Sequence, residues 1–296
     1  MSKFKKGDRV IYKKNNISKV VVIRDVHFDD APNIYYTIID SNKFEKQTTD
    51  KYLIKKLSPY TVFDNQQPKL LVAIQTHSSE IHNGRFEKFI RANHTKLKTC
   101  EKIVLFIDKT NDTHHIENIC KKINVSIIEI DETSLDKGIN YISNMFFNIV
   151  TYDLQNYQYL LLLETDCKLA SDWYSTIIND IKNRKFWIYG STSTISTDDF
   201  PELVYNISDE YPKPVKINSV AIYNRSSAFV DFLYEVINVC LSSQLRYDVL
   251  LSNRIFNLNP KMLLDSPYIC DISESSKRYY HFSNYKPYTR ILHQKF

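Results

Sequence analysis

Four short apolar runs constrain this chain most: LLVAIQT (70–76), KIVLFID (102–108), VSIIEID (125–131) and YLLLL (159–163). Each is too short to span a membrane. LLVAIQT, KIVLFID and YLLLL suit strands buried on both faces, as in a parallel sheet, and VSIIEID reads as a further strand. Helical spacing fills the gaps between them. Arg85 to Lys98 carries Phe86, Phe89, Ile90 and Leu97; Thr113 to Ile123 reads as a helix; Lys137 to Leu154 has apolar residues at 139, 142, 145, 146, 149 and 150. Strand–helix alternation predicts a parallel α/β sheet with right-handed crossovers over 70–296. Beyond it, helices are expected at Ser171 to Asn183, Ser226 to Leu241 and Arg246 to Phe256, and strands at Phe186 to Tyr189 and Lys216 to Tyr223. Gly190 to Pro214 reads as a loop, and Tyr268 to Phe296 as an irregular tail rich in Tyr and basic residues.

Residues 1–57 have a different texture. Phe4 to Tyr12, Ser18 to His27, Ile34 to Ile39 and Glu45 to Thr49 are β-rich, and turn residues separate them. A helical turn at Asp50 to Leu53 precedes a last strand ending near Leu57. Thirteen Lys/Arg face seven Asp/Glu here, so this head carries +6 of a chain whose net charge is +5. The basic face, with Tyr12, Tyr35, Tyr36 and Tyr52, would suit an anionic partner; a docking or solubilising appendage is the plainer reading. Residues 58–69, with two prolines, read as a linker.

Several function classes drop out. Four glycines in 296 residues leave no GxGxxG and no GxxxxGK[ST], so any phosphate must be held by a metal, a basic side chain or a helix N-terminus. There is no GxSxG. The five cysteines include no CxxC and read as buried free thiols of a reducing, cytoplasmic compartment. Cys167 is expected to be a small apolar filler. Five N-x-S/T sequons, at Asn93, Asn111, Asn124, Asn206 and Asn224, read as accidents of an Asn-rich chain. No apolar signal core opens the sequence, and no run is long enough to be a membrane span.

The chemistry-bearing stretch is YLLLLETDCKLASDW (159–173). Where a buried strand ends, the chain can present polar groups at the sheet's carboxyl edge, where open α/β sheets bind ligands. Glu164 and Asp166 are two apart, so an extended segment or a tight turn brings both carboxylates into one small volume. Hard divalent cations take such oxygen ligands, and Mg²⁺ is commonly held by one or two carboxylates plus substrate phosphates.

With these surroundings the stretch resembles the aspartate-any-aspartate motif of GT-A glycosyltransferases, with glutamate for the first aspartate. The resemblance covers roughly residues 69–285. It implies a metal-dependent transferase that takes a nucleotide-diphosphate sugar, UDP-sugar favoured, with Mn²⁺ or Mg²⁺ held directly by Asp166 and contacted by Glu164. It implies nucleotide-sugar contacts from Thr76 and His77, after the first run, from Asp108, ending the second, and from Thr165. His281, with Lys286 just beyond it for the diphosphate, matches the late histidine that such enzymes use as a further metal ligand; His77, His82, His114, His115 and His293 are less well placed. Asp248 matches the position of a general base, and equally that of an acid favoured at a helix N-terminus. Trp187, Gly190, Ser191, Asn218 and Ser219 would line the sugar and acceptor pocket. KINSVAIY (216–223) is also similar to an H-I-N-G-N-A-I-Y run of some viral and algal glycosyltransferase-like proteins, from which Lys216, Ser219 and Val220 depart.

The opening F-K-K-G-D-R-V-I-Y resembles SH3-like barrels of the Tudor or KOW kind. An AT-rich composition beside such a barrel suggests a large DNA virus or phage as source. The acceptor class stays open among glycan, protein and nucleic acid. A sugar nucleotidyltransferase would carry a Gly-rich loop that LLVAIQTHSSEIHNGR lacks. A non-catalytic glycan-binding protein on the same fold, and a transferase that modifies DNA bases, are the other readings.

Overall fold

A computed structural model of the chain describes residues 2–14, 17–30, 33–39, 45–57, 68–108, 113–121, 125–130, 139–151, 157–195, 198, 200–242, 245–272 and 289–294. The N-terminal unit is all-β. Strands β1 (Arg9–Lys14), β2 (Ile17–His27), β3 (Tyr35–Ile39), β4 (Glu45–Thr49) and β5 (Leu53–Leu57) form one antiparallel sheet in the order β4-β3-β2-β1-β5. A single 3₁₀ turn, Asp50–Tyr52, leads into β5. Before β1, Gly7 takes φ 84°, a left-handed turn that costs a glycine little, and its N–H donates to the Ile23 carbonyl at 2.7 Å. Val10 and Tyr12 point into a core shared with Phe4, Val21, Ile23, Tyr36, Ile38 and Leu53.

Period-2 alternation puts Arg9 and Ile11 on the other face of β1. That face is covered too. Helix α6 (Ser227–Ser242) meets it: Arg9 pairs with Asp231, and Ile11 packs with Tyr234 and Val230. The N-terminal unit is therefore docked on the second part of the chain. Only part of the expected tyrosine-bearing surface is present: Tyr52 is partly exposed, with Lys14 and Lys51 over its ring. Tyr12 and Tyr36 are core residues. Tyr35 stacks on His27 at 4.5 Å and donates to Asp29. The cleft beside β3 and β4 is lined by Asp30, Tyr35 and Asp50, which is acidic where the head as a whole is basic.

The second part is a three-layer α/β structure. Its elements are β6 (Leu70–Thr76), α1 (Ser78–His82), α2 (Arg85–Leu97), β7 (Lys102–Asp108), α3 (Thr113–Lys121), β8 (Val125–Ile130), α4 (Ile139–Thr151), β9 (Tyr159–Glu164), β10 (Cys167–Leu169), α5 (Trp173–Ile181), β11 (Ile188–Thr194), β12 (Val215–Asn224), α6, α7 (Tyr247–Leu258), β13 (Leu263–Asp265), β14 (Ile269–Ile272) and β15 (Ile291–Gln294). Seven strands make the main sheet, in the order β13-β11-β12-β9-β6-β7-β8. All run parallel except β12, which is antiparallel to both neighbours.

The buried runs face both ways, as their lack of alternation requires. Leu161 and Leu163 of β9 join α2, α3 and α5 on one side; Leu160 and Leu162 join α4, α6 and α7 on the other. No helix among the described residues is long and apolar enough to cross a membrane.

Three expectations need correction. The tail after Tyr268 is not wholly irregular, since β14 and β15 form a second sheet with β10, in the order β10-β15-β14. Strand β11 runs on to Thr194, inside the expected loop. Strands β10 and β13, three residues each, have no counterpart in the sequence reading. Segments this short show no period of their own; pairing with distant strands is what makes them strands. The expected linker, 58–69, lies outside the described residues apart from 68 and 69.

Gly190 shows why one strand position tolerates no side chain. A Cβ there would meet Ala221 Cβ at 2.7 Å and Ile217 Cγ2 at 2.8 Å, across the β11–β12 pair. Gly190→Ala is expected to destabilise the fold by about 1–3 kcal/mol, the usual cost of overpacking. A denaturant-unfolding midpoint unchanged from wild type would contradict that.

Candidate functional site

The sheet reverses direction of growth beside β6. The chain builds outward from β6 through β7 to β8, then crosses back to place β9 on β6's other side. Open α/β sheets leave a crevice at the carboxyl ends of the strands where order reverses this way. Two of the expected residues sit there by register: Gln75 pairs with Glu164, so Thr76 is level with Thr165.

Glu164 ends β9, and Thr165-Asp166 form the tight turn into β10. The tail supplies the third group. Strand β15 pairs antiparallel with β10 and sets His293 opposite Cys167, next to Asp166. His293 is fully buried, and its Nε2 lies 3.0 Å from Asp166 Oδ1 and 3.2 Å from Glu164 Oε2. One ligand atom from each of Glu164, Asp166 and His293 falls within a 4.8 Å cluster. From β12, Ser219 Oγ donates to the other Glu164 oxygen, Oε1. Strand β12 is irregular here: Gly190 pairs with Ala221 but Thr192 with Ile217, so β12 carries extra residues around Ser219. Bulges of this kind re-aim side chains beside functional sites.

The turn is held from behind. Buried Asn93 of α2 donates to the carbonyls of Phe89 (3.0 Å) and Cys167 (3.3 Å) and accepts from the Leu169 N–H (3.3 Å). Lys96 donates to the Leu169 carbonyl. Helix α2 thereby satisfies the β10 edge that β15 does not. Asn93 belongs to one of the sequons, and its burial leaves no room for a glycan.

The donor set fits a divalent cation. His293 Nε2 bonds directly to Glu164 Oε2 at 3.2 Å, and one ligand atom from each residue lies within 4.8 Å of the others. The carboxylate oxygens suit hard divalent cations, and the imidazole extends the range to transition-metal ions. Thr165 Oγ1 is buried with no hydrogen-bond partner among the described residues, and Asp166 Oδ1 is buried with the His293 ionic contact beside it.

The other expected residues are placed as follows. Thr76 Oγ1 donates to Glu80 Oε2, and Arg85 pairs with the other Glu80 oxygen at 3.2 Å, so this strand end carries a local network. His77 precedes α1 and is partly exposed. Asp108 ends β7. Asp248 is buried in the first turn of α7, with Arg246 and Lys216 as ionic neighbours. Ser191, Asn218 and Ser219 are buried around the β12 irregularity. Gly190 lies in mid-strand. Trp187 stands at the opposite sheet edge, level with Tyr159, and packs on Phe229 and Phe232. His281 and Lys286 lie outside the described residues.

His293 is the site residue that sequence reasoning ranked behind His281. A signal existed in I-L-H, where two apolar residues precede the histidine as in a strand. Three residues are too few to show which partner such a strand will find.

Three of the described thiols are poor nucleophiles. Burial pushes Cys100, Cys120 and Cys167 up to about 12. Burial, with a lesser contribution from Asp248 and Glu164, holds Tyr223 and Tyr247 well above the ordinary phenol range.

No protein-family model matches the chain, and no curated protein matches it. Among solved structures the chain is similar to the apo form of mouse xyloside xylosyltransferase 1. The TM-score is 0.47 at 11% sequence identity, covering 76% of this chain and 97% of that one.

The three thiols make a pH prediction. Unfolded, a cysteine ionises near pH 8.5. Folded, these stay protonated to about 12. The unfolded chain therefore binds fewer protons between those values, and stability falls as pH rises through that window. Iodoacetamide at pH 8 should leave the three unmodified in native protein and label them in guanidinium. Ready labelling of native Cys167 would refute its burial.

Proposed function

We propose that the chain is a metal-dependent glycosyltransferase of the GT-A kind, moving a sugar from a nucleotide-diphosphate donor, UDP-sugar favoured, to an acceptor. One observation carries this reading: two carboxylates and an imidazole converge where the sheet order reverses, on a motif resembling the aspartate-any-aspartate element. Glu164, Asp166 and His293 would hold Mn²⁺ or Mg²⁺. When bound, that ion would neutralise the negative charge that develops on the departing diphosphate.

The chain's own residues do the rest. Ser219 fixes the rotamer of Glu164 through its hydrogen bond. Full burial fixes His293, and Asn93 with Lys96 fixes the backbone of the turn. A site held this way needs little reorganisation when charge develops, which is what electrostatic stabilisation requires. The nucleotide would lie across the carboxyl ends of β6, β7 and β9, beside Thr76, His77, Asp108 and Thr165. Lys286 is the proposed diphosphate contact.

The test is hydrolysis of UDP-, GDP- and dTDP-sugars with Mn²⁺. At least one donor should turn over, and chelation should stop it. Asp166→Ala should lower the rate by about a hundredfold or more, as removal of a group that stabilises developing charge does. His293→Ala should weaken Mn²⁺ binding measured by calorimetry. Full activity in Asp166→Ala would sink the metal assignment.

A further inference from the structure

Asp248 has a side chain only 1% exposed, yet neither of its oxygens accepts a hydrogen bond among the described residues. It is balanced by charge instead. Arg246 Nε lies 3.2 Å from Oδ1, and Lys216 Nζ 3.8 Å from Oδ2. A buried carboxylate needs one cation to neutralise it. Here there are two, and among the described residues Asp248 is the only carboxylate within ion-pair distance of either. The trio carries a surplus positive charge. That surplus is not buried, since the Lys216 side chain is 25% exposed and that of Arg246 45%.

The trio is linked to the candidate metal site through strand β12. Lys216 precedes the irregular part of β12, whose Ser219 donates to Glu164. Tyr223 Oη donates to the Ser219 carbonyl, and Tyr247, adjacent to Asp248, stacks on Phe146 in the same layer. Strand β12 and helix α7 lie across β9 from β6 and β7, away from the strand ends that would seat a nucleotide. A second substrate approaching the metal from the β12 side would meet these cations first.

We infer that Lys216 and Arg246, held side by side by Asp248, recognise an anionic group, carboxylate or phosphate, on the sugar acceptor. This rests on the glycosyltransferase reading. Arg246 engages Asp248 through Nε, so its terminal nitrogens present the planar fork that binds carboxylate and phosphate in two-point fashion. Lys216 adds a point charge beside it. Asp248 is then a positioning residue: it fixes the two cations and keeps their mutual repulsion from driving them apart.

The experiment uses calorimetry on the full chain, first with UDP and Mn²⁺, then on the UDP–Mn²⁺ complex with glucose, glucuronate and glucose 6-phosphate. In about 150 mM salt, where loose surface attraction is screened, one of the two anionic sugars should bind about tenfold or more tighter than glucose, the scale of one charge-assisted contact. Which of the two wins separates carboxylate from phosphate. Lys216→Gln and Arg246→Gln should each erase most of the preference, Lys216→Arg should keep it, and UDP–Mn²⁺ affinity should stay at the wild-type value in all three. Circular dichroism establishes that each variant is folded. Equal binding of the three sugars by wild-type protein would overturn the inference, whatever the variants do. So would a preference that survives both glutamine variants, or a parallel loss of UDP–Mn²⁺ affinity, which would assign the cations to the donor. Failure of wild-type protein to bind UDP–Mn²⁺ at all would sink the transferase reading and the inference with it, whereas lost preference with intact UDP–Mn²⁺ binding sinks the inference alone.

Discussion

Two carboxylates at the end of a buried strand repel each other, and the site is the fold's answer to that repulsion. The ligand oxygens of Glu164 and Asp166 lie within 4.8 Å of each other, close enough for charge on one to raise the cost of charge on the other. Three separate elements oppose it. Strand β12 brings the Ser219 hydroxyl to Glu164, β15 brings His293 between the acids, and α2 holds the turn with Asn93. None of these is adjacent in sequence to the acids. Together they gather two carboxylates and an imidazole into one cluster, a donor set that could hold a metal ion.

The same logic extends outward. Asp248 is a second buried carboxylate beside the same layer, and it too is met by groups from distant elements, Lys216 of β12 and Arg246 at the start of α7. The two centres differ in sign. Around His293 negative charge is in excess; around Asp248 positive charge is. Strand β12 links the two, with Ser219 on Glu164 and Lys216 on Asp248. Among the described residues, no contact joins the N-terminal unit to either centre. That unit packs on α6 through Ile11 and the Arg9–Asp231 pair.

Much of the fold was legible because its signals are local. LLVAIQT, KIVLFID and YLLLL read as doubly buried strands, and the structure has β6, β7 and β9 there with Leu160 to Leu163 filling both sides of the sheet. The long helices were legible for the same reason. Strands β10, β13, β14 and β15 were not. Each has three or four residues, too few for a period, and each forms because another strand offers its edge. His293 was obscured with them.

What the sequence by itself determined is the alternating α/β order, the all-β head, and an acidic turn at the end of a doubly buried strand. Apolar periodicity and turn chemistry are properties of neighbours along the chain, so they can be read there. What only the tertiary structure decided is the company those acids keep. Strand order set Thr76 beside Thr165; the β10–β15 register set His293, 129 residues from Glu164, between two carboxylates. Register between strands so far apart depends on how the helices pack beneath them, and the sequence carries no local mark of that.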